Sequence, residues 1–343
     1  MATHLAAVAV AKAQPLEVQE RRTPKPGHNE LLLDVKSIAL NPLDISSKDF
    51  GFAIAEYPAV FGSDISGVVL ETGPNVSAAA FKPGTRVAAI ASAFFAQGAP
   101  DYGAFQQRVI VPVENAGPIP DDVSFNEAAT LPMAVTTVCI GWDTIGLPRE
   151  TSYSPGDKQG VLIWGASSSV GSMAVQSAKL LGFTVYATAS TRHHEYIKSL
   201  GASRVFDYKD AGVQAAIIKA AKGDGLTFQY GYDAVGAAQP CQNILQALKG
   251  DGTAHLASAP PLKPNEATAE GVETKFVMAS NDKKERAKQF SFAFNVWLKE
   301  KLERREIVPS PGVKVIDGGL RGINKGLDIL KAGVSCTKLV LEV

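Results

Sequence analysis

The chain has 343 residues, of which 45% are hydrophobic and 20% are charged, as in an ordinary globular protein that is long enough for two domains. Its 34 Lys and Arg residues balance 34 Asp and Glu residues, so its net charge gives no reason to expect a nucleic-acid partner. Three scattered cysteines without a Cys-x-x-Cys spacing argue against a disulfide framework and favour a reducing compartment.

The Ala- and Val-rich start of the chain is predicted to be a first β-strand. It lacks the basic residues that begin a signal peptide, and Lys12 interrupts its apolar run before the run could span a bilayer. No other segment has the length of a transmembrane helix. We therefore predict a cytoplasmic protein that does not bind membranes.

Up to about residue 125 the sequence alternates between short strands and turns rich in Pro and Gly. Strands are predicted at 31–35, 67–70 and 86–90, which indicates a mainly β domain. The last part of the chain, with a helix at 323–331 and a strand at 338–343, is predicted to return to this domain.

From residue 126 the pattern changes to apolar strands that alternate with helices. Strands are predicted at 161–164, 184–188, 203–206, 231–235, 253–257 and 274–279, and helices at 126–142, 172–181, 194–200, 213–221, 241–248 and 284–305. This alternation predicts an α/β fold with a Rossmann-type, doubly wound parallel sheet. The predicted domains are 1–125 with 306–343, which form the mainly β body, and 126–305, which forms the parallel sheet.

A turn of small residues follows the predicted strand at 161–164 and leads into a helix. It consists of Gly165, Ala166, Ser167, Ser168, Ser169, Val170 and Gly171. A pyrophosphate has to approach bare backbone N–H groups at a helix end, which excludes bulky side chains from such a turn. The serine hydroxyls can also donate to phosphate oxygens. We predict a dinucleotide site here, with a plain strand-to-helix turn as the alternative because the strict Gly-x-Gly-x-x-Gly pattern is absent.

The end of the following strand distinguishes NADH from NADPH. An NAD-specific site places Asp or Glu there, against the adenosine ribose. This chain instead has Ser190, Arg192 and His193, and a hydroxyl, a guanidinium and an imidazole suit a 2′-phosphate. The sequence therefore predicts NADPH, with a solvated helix start as the alternative reading of these side chains.

Together with further motifs, the chain resembles the zinc-free quinone oxidoreductase and enoyl reductase branch of the medium-chain dehydrogenase/reductase superfamily. The motifs are Asn41-Pro42-Leu43-Asp44, the turn at 58–67, Gly103-Ala104-Phe105 with 109–112, the phosphate turn, Phe206-Asp207-Tyr208 and Lys338-Leu339-Val340. The resemblance covers the whole chain and is greatest to fungal stand-alone enoyl reductases that work with polyketide synthases. It implies a GroES-like catalytic domain beside a Rossmann NADPH-binding domain.

The same resemblance implies roles for individual residues. Asn41 and Thr137 would lie near the nicotinamide and the substrate carbonyl as catalytic residues. The cofactor would be held by the seven residues of the phosphate turn together with Ser190, Arg192, His193, Tyr208, Val235 and Ser258. Tyr57 and Tyr102 are candidate proton donors or pocket walls, and the segments 49–57 and 92–102 are candidate pocket linings.

The resemblance also implies that no metal takes part. Zinc-using relatives carry Cys-His at the first motif and Gly-His-Glu at the second, whereas this chain has Asn41-Pro42 and Gly62-Ser63-Asp64. A catalytic zinc needs thiolate, imidazole or carboxylate ligands that converge on one point. We therefore predict a zinc-independent enzyme.

Without a Lewis acid, a conjugated C=C bond demands less of the protein than an isolated carbonyl does. We predict hydride transfer from NADPH to an enoyl thioester or an α,β-unsaturated carbonyl. Quinone reduction and a non-catalytic NADPH-binding role stay open as alternatives. The predicted partner is a small-molecule substrate, and the sequence leaves open a polyketide synthase acyl carrier and the choice between monomer and homodimer.

Overall fold

The computed structural model describes residues 2–263 and 268–343, and the chain divides into two compact units. Unit 1 comprises Met1–Met133 with Asp282–Val343, and unit 2 comprises Ala134–Asn281. Within the described ranges, no helix is both long enough and apolar enough to cross a membrane.

Unit 1 is mainly β. A hairpin of β1 and β2 accompanies a seven-stranded sheet in the order β14-β15-β3-β4-β5-β7, and β6 pairs with β3. Its strands are β1 (Thr3–Val8), β2 (Glu17–Arg22), β3 (Glu30–Ala39), β4 (Asp64–Thr72), β5 (Arg86–Ile90), β6 (Arg108–Pro112), β7 (Ala116–Pro118), β14 (Gly312–Val315) and β15 (Thr337–Glu342). These bounds confirm the strands predicted at 31–35, 67–70, 86–90 and 338–343.

Five α-helices lie among the described residues of unit 1. They are α1 (Pro42–Phe50), α2 (Phe125–Ala128), α8 (Lys283–Ser291), α9 (Lys299–Glu303) and α10 (Ile323–Ala332). The prediction at 323–331 is confirmed, but α1 was not predicted. Its signals are local: Asn41 precedes it, Pro42 is its first residue, and Gly51 ends it in the left-handed conformation at φ 68°.

Unit 2 contains a six-stranded parallel sheet in the order β10-β9-β8-β11-β12-β13. Numbered from its first strand, this is the 3-2-1-4-5-6 order of a dinucleotide-binding Rossmann fold. The strands are β8 (Gln159–Trp164), β9 (Thr184–Thr188), β10 (Arg204–Phe206), β11 (Thr227–Asp233), β12 (Ala254–Ser258) and β13 (Val272–Phe276). The predicted α/β fold with a parallel sheet is confirmed.

The remaining helices are α3 (Pro132–Thr144), α4 (Ser169–Leu180), α5 (His194–Ser199), α6 (Val213–Gly223) and α7 (Ala238–Leu248). All but α3 lie within unit 2, and α3 begins at the last two residues of unit 1. The helix predicted at 126–142 is divided between α2 and α3. The strand predicted at 231–235 is β11, which begins at Thr227 and ends at Asp233. Val235 therefore follows the strand instead of belonging to it.

The segment 282–305 groups with unit 1, whereas the predicted boundary assigned it to the parallel-sheet domain. Contacts with β7 account for the difference. The Asn295 side chain donates to the carbonyl of Ala116 at 2.7 Å, and a Cβ at Gly117 would lie 2.7 Å from the carbonyl oxygen of Phe294. Strand and helix periodicity carries no information on which sheet a helix covers. The single helix predicted there is α8 and α9 joined by a π-helical stretch, Phe292–Leu298.

Candidate active site and cofactor site

The turn between β8 and α4 is packed so closely that two of its positions accept only glycine. Gly165 has φ +79°, and a Cβ there would lie 2.5 Å from the side chain of Val235. A Cβ at Gly171 would lie 2.2 Å from the carbonyl oxygen of Gly165. The turn therefore presents backbone at the start of α4, as phosphate binding requires, and Val235 lies beside it.

The serine hydroxyls of this turn differ in their hydrogen bonding. Ser168 Oγ donates to the carbonyl of Gly165 at 2.8 Å and accepts the N–H of Gly171 at 3.0 Å, so it caps α4 and closes the turn. In contrast, Ser169 Oγ is buried and has no hydrogen-bond partner among the described residues. A buried hydroxyl without a partner at a helix start fits an anionic ligand such as a phosphate.

A residue that the sequence did not single out connects this turn to the neighbouring strand. Thr188 ends β9 and is fully buried. Its side chain accepts the N–H of Gly165 at 3.0 Å, and its carbonyl accepts the N–H of Ala166 at 2.9 Å. A threonine at the end of a strand was the only sequence signal for this contact.

Ser190, Arg192 and His193 lie together between β9 and α5, where Ser190 precedes a 3-10 turn, Thr191–His193. The Arg192 side chain is exposed and donates from Nε to His193 Nε2 at 3.1 Å. Burial and then the positive charge of Arg192 lower the pKa of His193, which keeps its ring neutral and able to accept this hydrogen bond. The group combines a cation with hydroxyl and imidazole side chains at one sheet edge.

Asp207 joins this loop to the one that follows β10. Its Oδ2 accepts the Thr191 hydroxyl at 2.6 Å and the Thr191 N–H at 3.1 Å, while its Oδ1 accepts the Lys209 N–H at 3.0 Å. These hydrogen bonds lower the pKa of Asp207 to about 2. Tyr208 is 45% exposed and lies between Asp207 and Lys209 in the sequence. The acidic member of the predicted Phe-Asp-Tyr motif thus braces two loops.

Ser258 and Thr137 are the remaining predicted site residues of unit 2. Ser258 ends β12, is buried, and donates from Oγ to the carbonyl of Pro260 at 2.8 Å. Thr137 is half-buried in α3, and its carbonyl accepts the hydroxyl of Tyr232 at 2.8 Å. Within unit 2, a side-chain hydrogen bond therefore anchors Ser258, and a hydrogen bond to its backbone carbonyl anchors Thr137.

Asn41 lies in a buried ionic cluster of unit 1. Its Oδ1 accepts from Lys338 Nζ at 2.6 Å, and its Nδ2 donates to Asp64 Oδ2 at 2.9 Å. Lys338 Nζ also lies 2.9 Å from Asp64 Oδ2, with the two side chains only 5% and 0% exposed. The second oxygen of Asp64 accepts the Met133 N–H at 2.7 Å. Each buried charge therefore has a partner.

Asp44 is a fourth member of this cluster, and it is also fully buried. Its Oδ2 accepts the backbone N–H of Asn41 at 2.7 Å. Burial raises the pKa of the Asp44 carboxyl to about 7, with a further increase from the negative charge of Asp64. The Asn41 N–H and the Lys338 ammonium act in the opposite direction. Asp44 therefore changes charge near neutral pH.

The two tyrosines named as candidate proton donors have different surroundings in unit 1. Tyr102 donates to Glu30 at 3.1 Å, and burial together with Glu30 raises its pKa to about 12. Glu30 begins β3, whose other end precedes Asn41, and the strand is roughly 30 Å long at about 3.3 Å per residue. Tyr57 packs against the hydrophobic core of the unit. The structure does not bring Tyr102 to Asn41.

A cleft in unit 1 is lined in part by the segments predicted as pocket walls. Ala53 comes from the segment 49–57, and Ala93 and Phe94 come from 92–102. Phe94 also contacts Phe52 and Phe95, with ring centroids 5.8 and 4.9 Å apart. Asp44 lines the same cleft, so an ionisable group borders an apolar wall.

The donor set of unit 1 does not fit a zinc ion. Where zinc-using relatives have Cys and His, this chain has Asn41 and Ser63, and the carboxylate of Asp64 is already paired with the Lys338 ammonium. A second cation would have to displace the lysine from a buried site. In the described ranges, no group of three or more His, Cys, Asp or Glu side chains is arranged to hold a metal.

A Rossmann sheet with a glycine-bounded turn and a mainly β unit are the two parts of a family of nicotinamide-dependent oxidoreductases. Residues 27–121 match the alcohol dehydrogenase GroES-like domain family, and residues 169–293 match the zinc-binding dehydrogenase family. The chain belongs to the medium-chain dehydrogenase/reductase superfamily.

Its relatives include proteins named for one reaction. The chain is 47% identical over 340 residues to trans-enoyl reductase tndF of Aspergillus flavipes, covering 98% of each chain. It is 48% identical over 284 residues to trans-enoyl reductase tazE of Aspergillus terreus, covering 82% of this chain and 94% of that one. An alcohol dehydrogenase superfamily protein from Novosphingobium aromaticivorans has the same fold, with a TM-score of 0.80, 20% identity and 99% coverage of both chains.

Proposed function

We propose that the protein reduces an activated C=C bond, in an enoyl thioester or an α,β-unsaturated carbonyl, with NADPH as the hydride donor. Asn41 and Thr137 are the residues assigned to the substrate carbonyl and the nicotinamide. The observation that carries the proposal is the buried cluster of Asn41, Lys338 and Asp64, which supplies a fixed hydrogen-bond donor in place of a metal. The identity to two trans-enoyl reductases supports the same reaction.

The orientation of the Asn41 side chain follows from its ionic partners. A flipped amide would direct Nδ2 at the Lys338 ammonium and Oδ1 at the Asp64 carboxylate, and both contacts would be repulsive. The unflipped amide uses one N–H for Asp64 and leaves the second N–H for a ligand. An oriented donor of this kind stabilises the negative charge that develops on a carbonyl oxygen during hydride addition.

Several features support NADPH as the nicotinamide cofactor. The N–H groups at the start of α4 and the Ser169 hydroxyl suit the pyrophosphate, and Ser190, Arg192 and His193 suit the 2′-phosphate. Tyr208 is assigned to the ribose, Ser258 to the nicotinamide, and Val235 to the cofactor without a particular part of it. When bound, NADPH supplies a hydride; the protein residues position the cofactor and exclude water. Unit 2 would thus be the cofactor domain, and unit 1 the GroES-like catalytic domain.

The same proposal extends to the partners. A thioester substrate carried on the acyl carrier of a polyketide synthase fits the relatives' names. The three scattered cysteines, which have no Cys-x-x-Cys spacing, support a reducing compartment such as the cytoplasm. A homodimer through β13 and a monomer are both compatible with this strand, which pairs only with β12 among the described residues and carries the charges of Glu273 and Lys275.

Consumption of NADPH with crotonyl-type thioesters, α,β-unsaturated ketones and quinones tests the proposal. We expect turnover of one alkene class, faster with NADPH than with NADH and unaffected by a chelator. Turnover of quinones alone would favour the alternative oxidoreductase activity. NADPH binding without turnover of any compound in a broad panel would favour a non-catalytic role.

A further inference from the structure

An aromatic cluster of unit 1 reaches the protein surface. It consists of Phe52, Phe94 and Phe95, whose consecutive ring centroids lie 5.8 and 4.9 Å apart. Phe52 is 49% exposed, although phenylalanine is usually buried, and the other two rings are half-buried. Apolar surface of this kind, bordered by polar side chains, is typical of places where a soluble protein binds another molecule.

The helix α8 borders this aromatic cluster with positive charge. The guanidinium carbon of Arg286 lies 4.1 Å from the ring centroid of Phe95, and the ring of Phe290 lies 6.0 Å from the same ring. Lys283 precedes Arg286 by three positions and Phe290 by seven, so these three residues share one face of the helix. Lys283 is exposed. The edge of the aromatic cluster therefore carries two cations.

The carboxylates at this end of α8 are engaged with other groups. Asp282 accepts the backbone N–H groups of Lys284 and Glu285, both at 2.9 Å, and Glu285 accepts Lys288 Nζ at 2.7 Å. Among the residues that the structure describes, the Lys283 ammonium has no hydrogen bond or ion pair. Its charge is therefore available to an anion from outside the chain.

The aromatic cluster connects these cations to the neighbourhood of Asn41. Phe94 lines a cleft of unit 1 together with Asp44, and Asp44 accepts the N–H of Asn41 at 2.7 Å. Because Asn41 is assigned to the substrate carbonyl, the rings lead from that residue toward Arg286 within a single unit. A substrate that follows the rings needs a chain with apolar groups and an anionic group at its far end.

We propose that Lys283 and Arg286 bind the phosphate of a phosphopantetheine arm, and that Phe94 and Phe95 contact the methyl and methylene groups of this arm. The inference rests on the proposed function. Such an arm carries an acyl thioester at one end and a phosphate at the other, both in coenzyme A and on acyl carriers. A guanidinium and an ammonium match the charge of the phosphate, and arginine can bind two of its oxygens. The substrate class is then an enoyl thioester on this arm, in preference to a simple unsaturated ketone.

Two thioesters that differ only in the phosphate test this proposal. With saturating NADPH, we expect KM for crotonyl phosphopantetheine to be about 10-fold lower than KM for crotonyl pantetheine, the scale of a hydrogen bond to a charged group. Lys283→Glu should remove most of this difference, because an anion replaces the cation. The variant should fold, since an acidic side chain at the first position of α8 suits the helix dipole.

Lys219→Glu is the matched control. Lys219 is an exposed lysine on α6 of unit 2, so the same reversal of charge falls on a helix that contributes nothing to the aromatic cluster. Both KM values should match those of the unaltered protein. Equal KM values for the two thioesters in the unaltered protein, or an unchanged phosphate preference in Lys283→Glu, would overturn the proposal. A parallel rise of both KM values in Lys283→Glu would overturn it too, because it would indicate a general structural effect.

A binding measurement distinguishes failure of this site from failure of the proposed function. Saturation-transfer NMR of phosphopantetheine, without an acyl group, requires no turnover. A signal with the unaltered protein that weakens with pantetheine and with Lys283→Glu would support the site even if no alkene is reduced. Absence of the phosphopantetheine signal would overturn the site even if crotonyl thioesters are reduced.

Crotonyl-coenzyme A and a crotonyl group on an isolated acyl carrier distinguish the two sources of the arm. A lower KM for the carrier would assign the arm to a protein partner, and a lower KM for crotonyl-coenzyme A would assign it to a small-molecule thioester. In either case, Lys283→Glu should raise the KM of the preferred substrate. If the variant raises neither KM, the phosphate does not bind at Lys283.

Discussion

Lys338 illustrates how one residue can serve both the fold and the site. Its ammonium lies in an interior where an unpaired charge would be costly, and it is held by Asp64 and by the carboxamide of Asn41. The same contacts determine which atom of Asn41 is available to a ligand. A lysine within the apolar strand β15 was a visible sequence signal, but its partners are 274 and 297 positions away along the chain (338 − 64 and 338 − 41) and could not be deduced from spacing.

Replacement of Lys338 by Met should destabilise the protein strongly. The Asp64 carboxylate would remain buried without its cation, and breaking one half of a buried pair costs about 3–5 kcal/mol. Denaturant unfolding measures this loss. Lys331→Met is the control, because Lys331 pairs with Asp49 at the surface, with its side chain 63% exposed, and should change stability by about 1 kcal/mol or less. Equal losses in the two variants would contradict the account of the cluster.

At the scale of single elements, the phosphate turn was predicted from its sequence because small residues, a strand and a helix adjoin one another. The different roles of its serines could not be predicted, because Ser168 is recognised as a helix cap only from its contacts with Gly165 and Gly171. The helix α1 was missed despite a proline at its first position and a glycine at its end. Those signals were present, but the prediction up to about residue 125 contained only short strands and turns.

Gly171→Ala should abolish tight NADPH binding. The new Cβ would meet the carbonyl oxygen of Gly165 at 2.2 Å, and this contact can be relieved only by opening the turn. Fluorescence titration of NADPH measures the effect, which should exceed roughly 10-fold in Kd, about 1.4 kcal/mol. In Gly223→Ala, at the end of α6, the new Cβ meets nothing within 4 Å, so binding should not change. Tight binding by Gly171→Ala would show that the turn does not hold the cofactor.

Thr191→Val should weaken the preference for NADPH over NADH. The substitution removes the hydroxyl that donates to Asp207 but keeps the carboxylate and the size of the side chain, so it loosens the loop that carries Arg192. We expect the KM ratio of the two cofactors to shift by roughly 5-fold, the value of about one hydrogen bond, with kcat unchanged. Asp210→Asn, which affects only a hydrogen bond to the Gly212 N–H, should leave the ratio unaltered. A parallel rise in both KM values would argue for a general structural role.

At the scale of the whole molecule, the order of elements along the chain was sufficient to predict a parallel sheet and a separate β body. The boundary between the two domains was harder to predict from the sequence. Residues 282–305 follow the last strand of the parallel sheet and have helical sequence, yet Phe294 and Asn295 pack on β7 of unit 1. Packing of this kind depends on side-chain fit between distant segments, which neither periodicity nor composition records.

Transfer of deuterium from NADPH labelled at C4 of the nicotinamide tests the central claim most directly. The labelled cofactor, in both stereochemical forms, would be incubated with a crotonyl thioester in ordinary water, and the product examined by NMR. The account predicts one deuterium at the β-carbon, from one of the two forms, and ordinary hydrogen at the α-carbon. A product without deuterium at the β-carbon, or no reduced product at all, would contradict hydride transfer to an activated C=C bond.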